Sequence, residues 1–368
     1  MKIDCLKNKL QKSVALAERI TAKSLSLAVL KNILIKTKDG FLYIEATNLE
    51  VGLEIKIPAK IHAEGVIAVN PTILNGVLNN IKEDKITLIV EDNKISLITE
   101  SHKTVIKGES TEDFPSLPVI DQIEEVDIKV EELVLGIKST AFAAATSDIK
   151  PEIASIYIYE NEKTLYFVAT DSFRLAEKKV LLRKVKNFNP LIIPLKNALE
   201  IARVFEEEEG NIKIVSDGNQ LSIFSDNVYF TTRVIDGVYP DYKQIMPTDF
   251  KLDFLIKKDE LLNALKLNVI FSDKFNQVNL KVNAKENTLN INAISQDAGE
   301  NTSELKITPK NKEVEEFEAY YNIRYLTDVI NILNSEQVFF GASETNRPLF
   351  IKDSEDESFS YIIMPVSR

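Results

Sequence analysis

Thr164-Leu-Tyr-Phe-Val-Ala-Thr-Asp171 alternates apolar and polar side chains and reads as a half-buried strand. Two other stretches repeat it: Phe41-Leu-Tyr-Ile-Glu-Ala-Thr-Asn48 and Thr288-Leu-Asn-Ile-Asn-Ala-Ile-Ser295. Their alanines, Ala46, Ala169 and Ala293, fall 123 and 124 residues apart. Self-similarity at a fixed period means one structural unit used three times.

Working outward, apolar stripes of helical period recur in the same phase. The first helix of each unit is predicted at Leu6–Lys23, Glu131–Ser147 and Asp259–Phe271. The second is predicted at Pro71–Lys82, Leu195–Phe205 and Asn322–Asn334. Leu10, Val14 and Ala17 lie on one face of the first, and Pro71 behind Asn70 is an N1 proline behind a cap. Aromatic-proline turns close two units, at Glu112–Pro118 and at Asp236–Tyr242 running on to Pro247. The domains therefore run 1–120, 121–249 and 250–368. Each is expected to hold two helices and roughly eight strands, in the order strand, helix, strands, helix, strands, which is an α+β unit with helices packed on antiparallel sheets. Periodicity alone leaves open whether the units form a string or a closed arc.

Composition excludes several classes. The 368 residues are 44% hydrophobic, ample for real cores, and Pro and Gly are scarce at 12 and 11. No apolar run reaches the roughly 18 residues of a membrane span, and Met1–Leu10 has no signal-peptide core, so the cytoplasm is the expected compartment. A single cysteine, Cys5, rules out an internal disulfide framework and reads as a small buried hydrophobe. His62 and His102 lack a second ligand type at metal spacing and read as surface residues. No phosphate-binding glycine loop and no nucleophile elbow is present. The acidic runs Glu206–Glu209 and Asp353–Glu357 read as solvated loops, and Asp148 and Asp171 have no convergent partner for Mg²⁺. No cofactor, metal or catalytic residue is expected, so the chain reads as a binding protein and not an enzyme.

The net charge of −11 argues against a protein that grips phosphates. Charge is uneven, however. Leu6–Lys23 holds five Lys/Arg and one acid, and the other five predicted helices are near neutral. The acid excess lies in strands and loops.

Three motifs carry a family resemblance: Leu27-Ala-Val-Leu-Lys-Asn-Ile-Leu-Ile35, Val168-Ala-Thr-Asp-Ser-Phe-Arg-Leu-Ala176 and Tyr361-Ile-Ile-Met-Pro-Val-Ser-Arg368. With the two turns and the triplication, the whole chain resembles the beta subunit of bacterial DNA polymerase III, the sliding clamp. The resemblance implies three DNA-clamp domains per subunit and a head-to-tail ring dimer, helices inside and sheets outside. It implies duplex DNA bound without sequence preference, processivity for the replicative DNA polymerase catalytic subunit, and an ATP-driven clamp loader complex as partner. Weak phosphate contacts suit sliding, since a closed loop leaves a long duplex only at an end. Lys7, Lys9, Lys12, Arg19, Lys23 and Lys150 are the DNA-facing candidates. The competing class is a repeat-built interaction scaffold that never encircles DNA.

The resemblance also implies a pocket where polymerases and repair proteins insert a short Gln/Leu/Phe-rich peptide. The matching positions are Ile153, Thr170, Arg174, Leu175, Pro240, Ile245, Asn322, Tyr325, Pro348, Ile362, Met364, Pro365 and Val366, an apolar floor with a few polar guides. Leu175, Ile362 and Met364 are expected to take the anchor side chains. The family's Gly-His pair is replaced by Ser172-Phe173, its common arginine by Gln244, and its tail ends differently from Ser367-Arg368. Dimerisation is expected through Ile270 and Phe271, with acids around Asp297–Glu304 meeting Lys103 of the second copy.

Overall fold

In the computed structural model, residues 1–22, 27–120, 124–182, 184–186, 188–312 and 316–366 are described. The chain condenses into two compact units. One comprises Met1–Glu131, Arg183–Asn189 and Arg203–Val234; the other comprises Glu132–Leu182, Pro190–Ala202 and Ile235–Arg368. The central repeat contributes to both, so compactness does not follow the repeats.

Six α-helices occur among the described residues: α1 Lys7–Ile20, α2 Pro71–Asn80, α3 Val130–Ala141, α4 Leu195–Phe205, α5 Lys258–Ile270 and α6 Ile323–Ile332. All begin within a residue of the predicted starts, but most stop earlier than expected. The largest error is at α3, where the helix ends at Ala141 and the chain runs through turns over residues 142–154 instead of continuing as helix to Ser147. α1 buries Leu10, Val14, Ala17 and Ile20. Each of its larger aliphatic side chains contributes about 1.5–3 kcal/mol when fully buried. Asn70 caps α2, its side chain accepting the Ile73 N–H at 3.3 Å, and Asn322 caps α6 by accepting from Arg324 and Tyr325.

Strand counts per repeat are nine, nine and eight among the described residues. The third repeat is one short because Gly299–Lys312 is a single long strand. Its first half pairs with Thr288–Ser295 and its second half with Leu252–Lys257. In the first repeat the same two tasks fall to separate strands, Val51–Pro58 and Lys60–Ala63.

The joints between successive repeats share one construction. Val51–Pro58 follows the first repeated strand and pairs antiparallel with Val228–Arg233, the last strand of the central repeat. Arg174–Leu181 follows the second and pairs with Phe359–Ile363, the last strand of the third. Leu53 therefore faces Phe230, and Ala176 faces Tyr361. Among the edges left open in the described pairings are Lys103–Lys107, the last strand of the first repeat, and one side of the 299–306 half of the long strand.

The aromatic-proline turns lie against sheet faces. Leu117 packs on Gly52, where an added Cβ would fall 2.7 Å from its Cδ2 and 2.9 Å from Thr231 Cγ2, and Tyr229 donates its hydroxyl to the Pro118 carbonyl. In the second turn Tyr239 stacks on Tyr157 at 4.6 Å. Tyr242 donates to the Glu177 carboxylate and lies 2.7 Å from the Tyr159 hydroxyl, and burial first, then Glu177, pushes its phenol far above the ordinary range.

One expectation needs correction. Asp353 is not solvated: it is 4% exposed and accepts backbone N–H bonds from Asn334, Ser335, Glu355 and Asp356, because the hairpin after it needs an acceptor at its base. Within the other acidic run, Glu207 pairs with Lys12 and Glu208 accepts from Ser225, so that loop is exposed but not free. Cys5 is buried, and desolvation pushes its thiol up to about 12, which leaves it inert as expected of a small hydrophobe. His62 is exposed but bonded to Asp4 at 2.8 Å, and His102 is exposed. No helix among the described residues is long and apolar enough to cross a membrane.

Candidate functional site

The candidate peptide site is built on the tight turn from Thr170 to Arg174. Thr170 donates its hydroxyl to the Arg174 carbonyl at 2.6 Å and accepts the Ser172 N–H at 3.1 Å. Asp171 Oδ1 accepts the N–H groups of Phe173 and Arg174 at 2.9 and 3.0 Å. Ser172 sits at φ +78°, the left-handed region, where a side chain costs about 1 kcal/mol relative to glycine. Ser172→Gly is therefore expected to raise stability by about 0.5–1 kcal/mol. Chemical denaturation checks this, and an unchanged or lower midpoint would refute the strain argument.

Leu175 faces Ile362 across the sheet, and each is 1% exposed. They belong to one apolar cluster with Tyr239 and Tyr242, which flank Pro240. These two residues form a buried apolar floor. Pro240 is exposed, Ile245 is 46% exposed, and Val238 beside them is 89% exposed. Pro348 leads into Leu349, which faces Ile363. Ile153 is buried and its N–H bonds to the Lys150 carbonyl at 3.2 Å, so it belongs to the loop that carries Lys150.

The tail is docked. Met364 donates its N–H to the Phe173 carbonyl and Val366 donates to the Tyr320 carbonyl, both at 2.8 Å, with Pro365 half-buried between them. Asn322 is spent on capping α6, which places Tyr325 in the first turn, and the Tyr325 ring lies 4.1 Å from the Arg174 guanidinium carbon. The turn, the sheet floor, the start of α6 and the tail therefore converge. Sequence reasoning missed Phe142 and Asp328, and named Phe173, 63% exposed, only as a departure from the family motif. The first two stand far from the motif in the chain, and nothing in their local pattern marks them.

Of the basic candidates, Lys9, Lys12 and Arg19 lie on α1 away from its buried stripe, and Lys7 is half-buried on its flank. Lys150 is exposed. Lys23 lies outside the described residues. Beside α1 is a cavity of about 430 Å³ lined by Lys9, Lys12, Arg19, Lys56 and Arg203 together with Glu206, Glu207 and Glu208, and by the apolar Leu16, Ile55 and Val228.

At the open edges, Lys103 and Val105 are exposed on one strand. Ile270, at the end of α5, is 67% exposed, while Phe271 is half-buried against its own core. Phe275 and Ile294, 62% and 58% exposed, were not anticipated. No group of three or more His, Cys, Asp or Glu able to hold a metal occurs among the described residues.

A helix-pair-on-sheet unit used three times, each handing a strand to the next, defines the DNA-clamp architecture. Family models bear this out along nearly the whole chain. The N-terminal, central and C-terminal domains of the DNA polymerase III beta subunit match residues 1–118, 127–241 and 243–367. The chain belongs to the DNA polymerase III beta subunit family, and its role is the family's: a sliding clamp for DNA polymerase III with no catalysis of its own. It is 26% identical to the beta sliding clamp of Synechococcus elongatus over 384 residues, covering 100% of this chain and 99% of that one. The Rickettsia bellii beta sliding clamp is likewise 26% identical, covering 97% of each. The fold is shared with a Pseudomonas aeruginosa sliding clamp crystallised with griselimycin (TM-score 0.94, 24% identity, 100% of both chains). It is shared too with the Thermotoga maritima beta subunit (TM-score 0.92, 22% identity, 100% and 99%). A repeat-built interaction scaffold that does not encircle DNA is not favoured.

Proposed function

We propose that two copies of this chain close head to tail around duplex DNA and hold the replicative polymerase there through the peptide site. One observation carries the reading. Each joint inside the chain pairs the strand after the repeated motif with the last strand of the next repeat, and two of the open edges are the two halves of one more such joint. The 299–306 edge follows the third copy of the motif, and Lys103–Lys107 ends the first repeat. A second copy supplies the missing partner at each.

Carrying the joint's register to these edges sets Asn301 opposite Thr104 of the second copy. Lys103 then lies opposite Thr302, diagonal to both Glu300 and Glu304. Exposed pairs of this kind are worth only about 0.2–1 kcal/mol each, so they select register. The exposed Ile270, Phe275, Ile294 and Val105 supply apolar area.

Domain boundaries near 121 and 249, location in the cytoplasm and an ATP-driven loader as partner belong to the same reading. DNA is held by topology, with Lys9, Lys12 and Arg19 making weak contacts to phosphates and reading no bases. The test uses loaded protein on nicked circular duplex. The ring is expected to survive a high-salt wash and to be lost once the circle is cut. Loss that is equally fast before and after cutting would reject encirclement.

A further inference from the structure

We infer that Arg174 is a positioning residue, held in a clamp by Asp328, Asp171 and two aromatic rings, and that Asp328 sets the geometry of the peptide site without touching the peptide. The inference rests on the docking reading above. The Arg174 side chain is 10% exposed. Its Nε donates to Asp171 Oδ2 at 2.9 Å and its Nη1 to Asp328 Oδ2 at 2.7 Å. The guanidinium carbon lies 4.1 Å from the Tyr325 ring centroid and 5.6 Å from that of Phe142.

These partners come from separate elements. Asp171 belongs to the turn that also carries Phe173, whose carbonyl holds Met364. Asp328 and Tyr325 stand three residues apart on one face of α6. Phe142 follows α3 and stacks on Tyr361 at 5.6 Å, and the Tyr361 hydroxyl donates to the Tyr325 carbonyl at 3.1 Å. One planar fork therefore ties together the turn, the start of α6 and the last strand, the elements that carry Thr170, Tyr325 and Ile362. Two of the five guanidinium N–H donors are thus bonded to carboxylates, with aromatic rings beside the group. A lysine cannot reproduce the arrangement, because a point charge has neither the fork nor the flat face. The Asp328 carboxylate is 45% exposed, so its replacement leaves the fold intact.

The experiment titrates the full-length chain into fluorescein-labelled Gln-Leu-Ser-Leu-Phe and reads anisotropy. Asp328→Asn is expected to weaken binding roughly tenfold, the scale of one charge-assisted bond. Arg174→Lys is expected to weaken it as much, and the double variant to be no more than about twofold worse than either, since both break one clamp. In ¹⁵N spectra the Arg174 Nη1–H signal, whose partner is Asp328, is expected to be protected from exchange in the free protein, to stay in place when peptide is added, and to lose protection in Asp328→Asn. Native chain that binds peptide while Asp328→Asn binds equally well overturns the clamp alone. Additive losses, or an Arg174 signal that moves on peptide addition, overturn it as well. Native chain that fails to bind overturns the docking reading and the clamp with it.

Discussion

Ile270→Asp combined with Phe271→Asp is expected to convert the dimer into single chains at micromolar concentration. Ile270 ends α5 with 67% of its surface exposed. Fully burying such a residue contributes about 1.5–3 kcal/mol, and closed two-fold symmetry doubles every contact because two seams form at once. Aspartate removes that area and adds charge three residues from Asp273. A rise in the dissociation constant of at least about a thousandfold follows from losing roughly 4 kcal/mol over both seams. Phe271 also packs on its own core, so Ile270→Asp alone is the control that separates a broken seam from a weakened fold. Light scattering and sedimentation equilibrium check the result. A dimer of native stability in both variants would reject the seam.

Asp353→Ala is expected to destabilise the second unit by about 3–4 kcal/mol, the cost of leaving one buried and three part-buried N–H donors without their charged acceptor. The Asp353 carboxylate accepts at 3.0, 3.1, 2.9 and 3.3 Å from the N–H groups of Asn334, Ser335, Glu355 and Asp356, and also from the Ser335 hydroxyl. Burial raises its pKa, but these bonds outweigh burial and bring it down to about 2. The folded value is thus depressed below the roughly 3.9 of an unfolded aspartate. The stabilisation is fully present above that unfolded value and is lost as pH falls toward about 2; it amounts to about 2 kcal/mol of the total. Denaturant titrations near neutral pH and near pH ~3 should therefore show native and variant converging in acid. Equal midpoints at neutral pH would refute the assignment. The loop also seats Lys178 on Asp356 at 2.6 Å, so the hairpin carrying Ile362 loosens with it.

The repeat was legible in the sequence because each motif strand has a buried and an open face, and a period of two survives divergence. Leu10, Val14 and Ala17 likewise announced α1. Relations that depend on strand pairing were not legible. Glu45 and Glu54 stand directly opposite each other across two strands with Lys36 bonded to both. Burial first, then Glu54, pushes Glu45 up to about 7, and nothing in either local pattern shows it. Leu175 was named only through the family resemblance, and its packing with Tyr239 and Tyr242 depends on a turn far along the chain. Asp353 looked solvated because it opens an acidic run, whereas the loop folds back to point its amides at it. Arg174 was visible as a motif residue, but its partner Asp328 is 154 residues away, and only the fold brings them together.

The two joints within a chain are strand ladders whose halves the same ribosome delivers, so neither can come apart without unfolding a sheet. In the ring proposed above, the third is made between separate molecules and uses the same backbone geometry. Two joints of the protomer act as welds and one as a latch. A loader need only pry at the latch, and a reversible crosslink placed there would turn a clamp that releases DNA into one that keeps it.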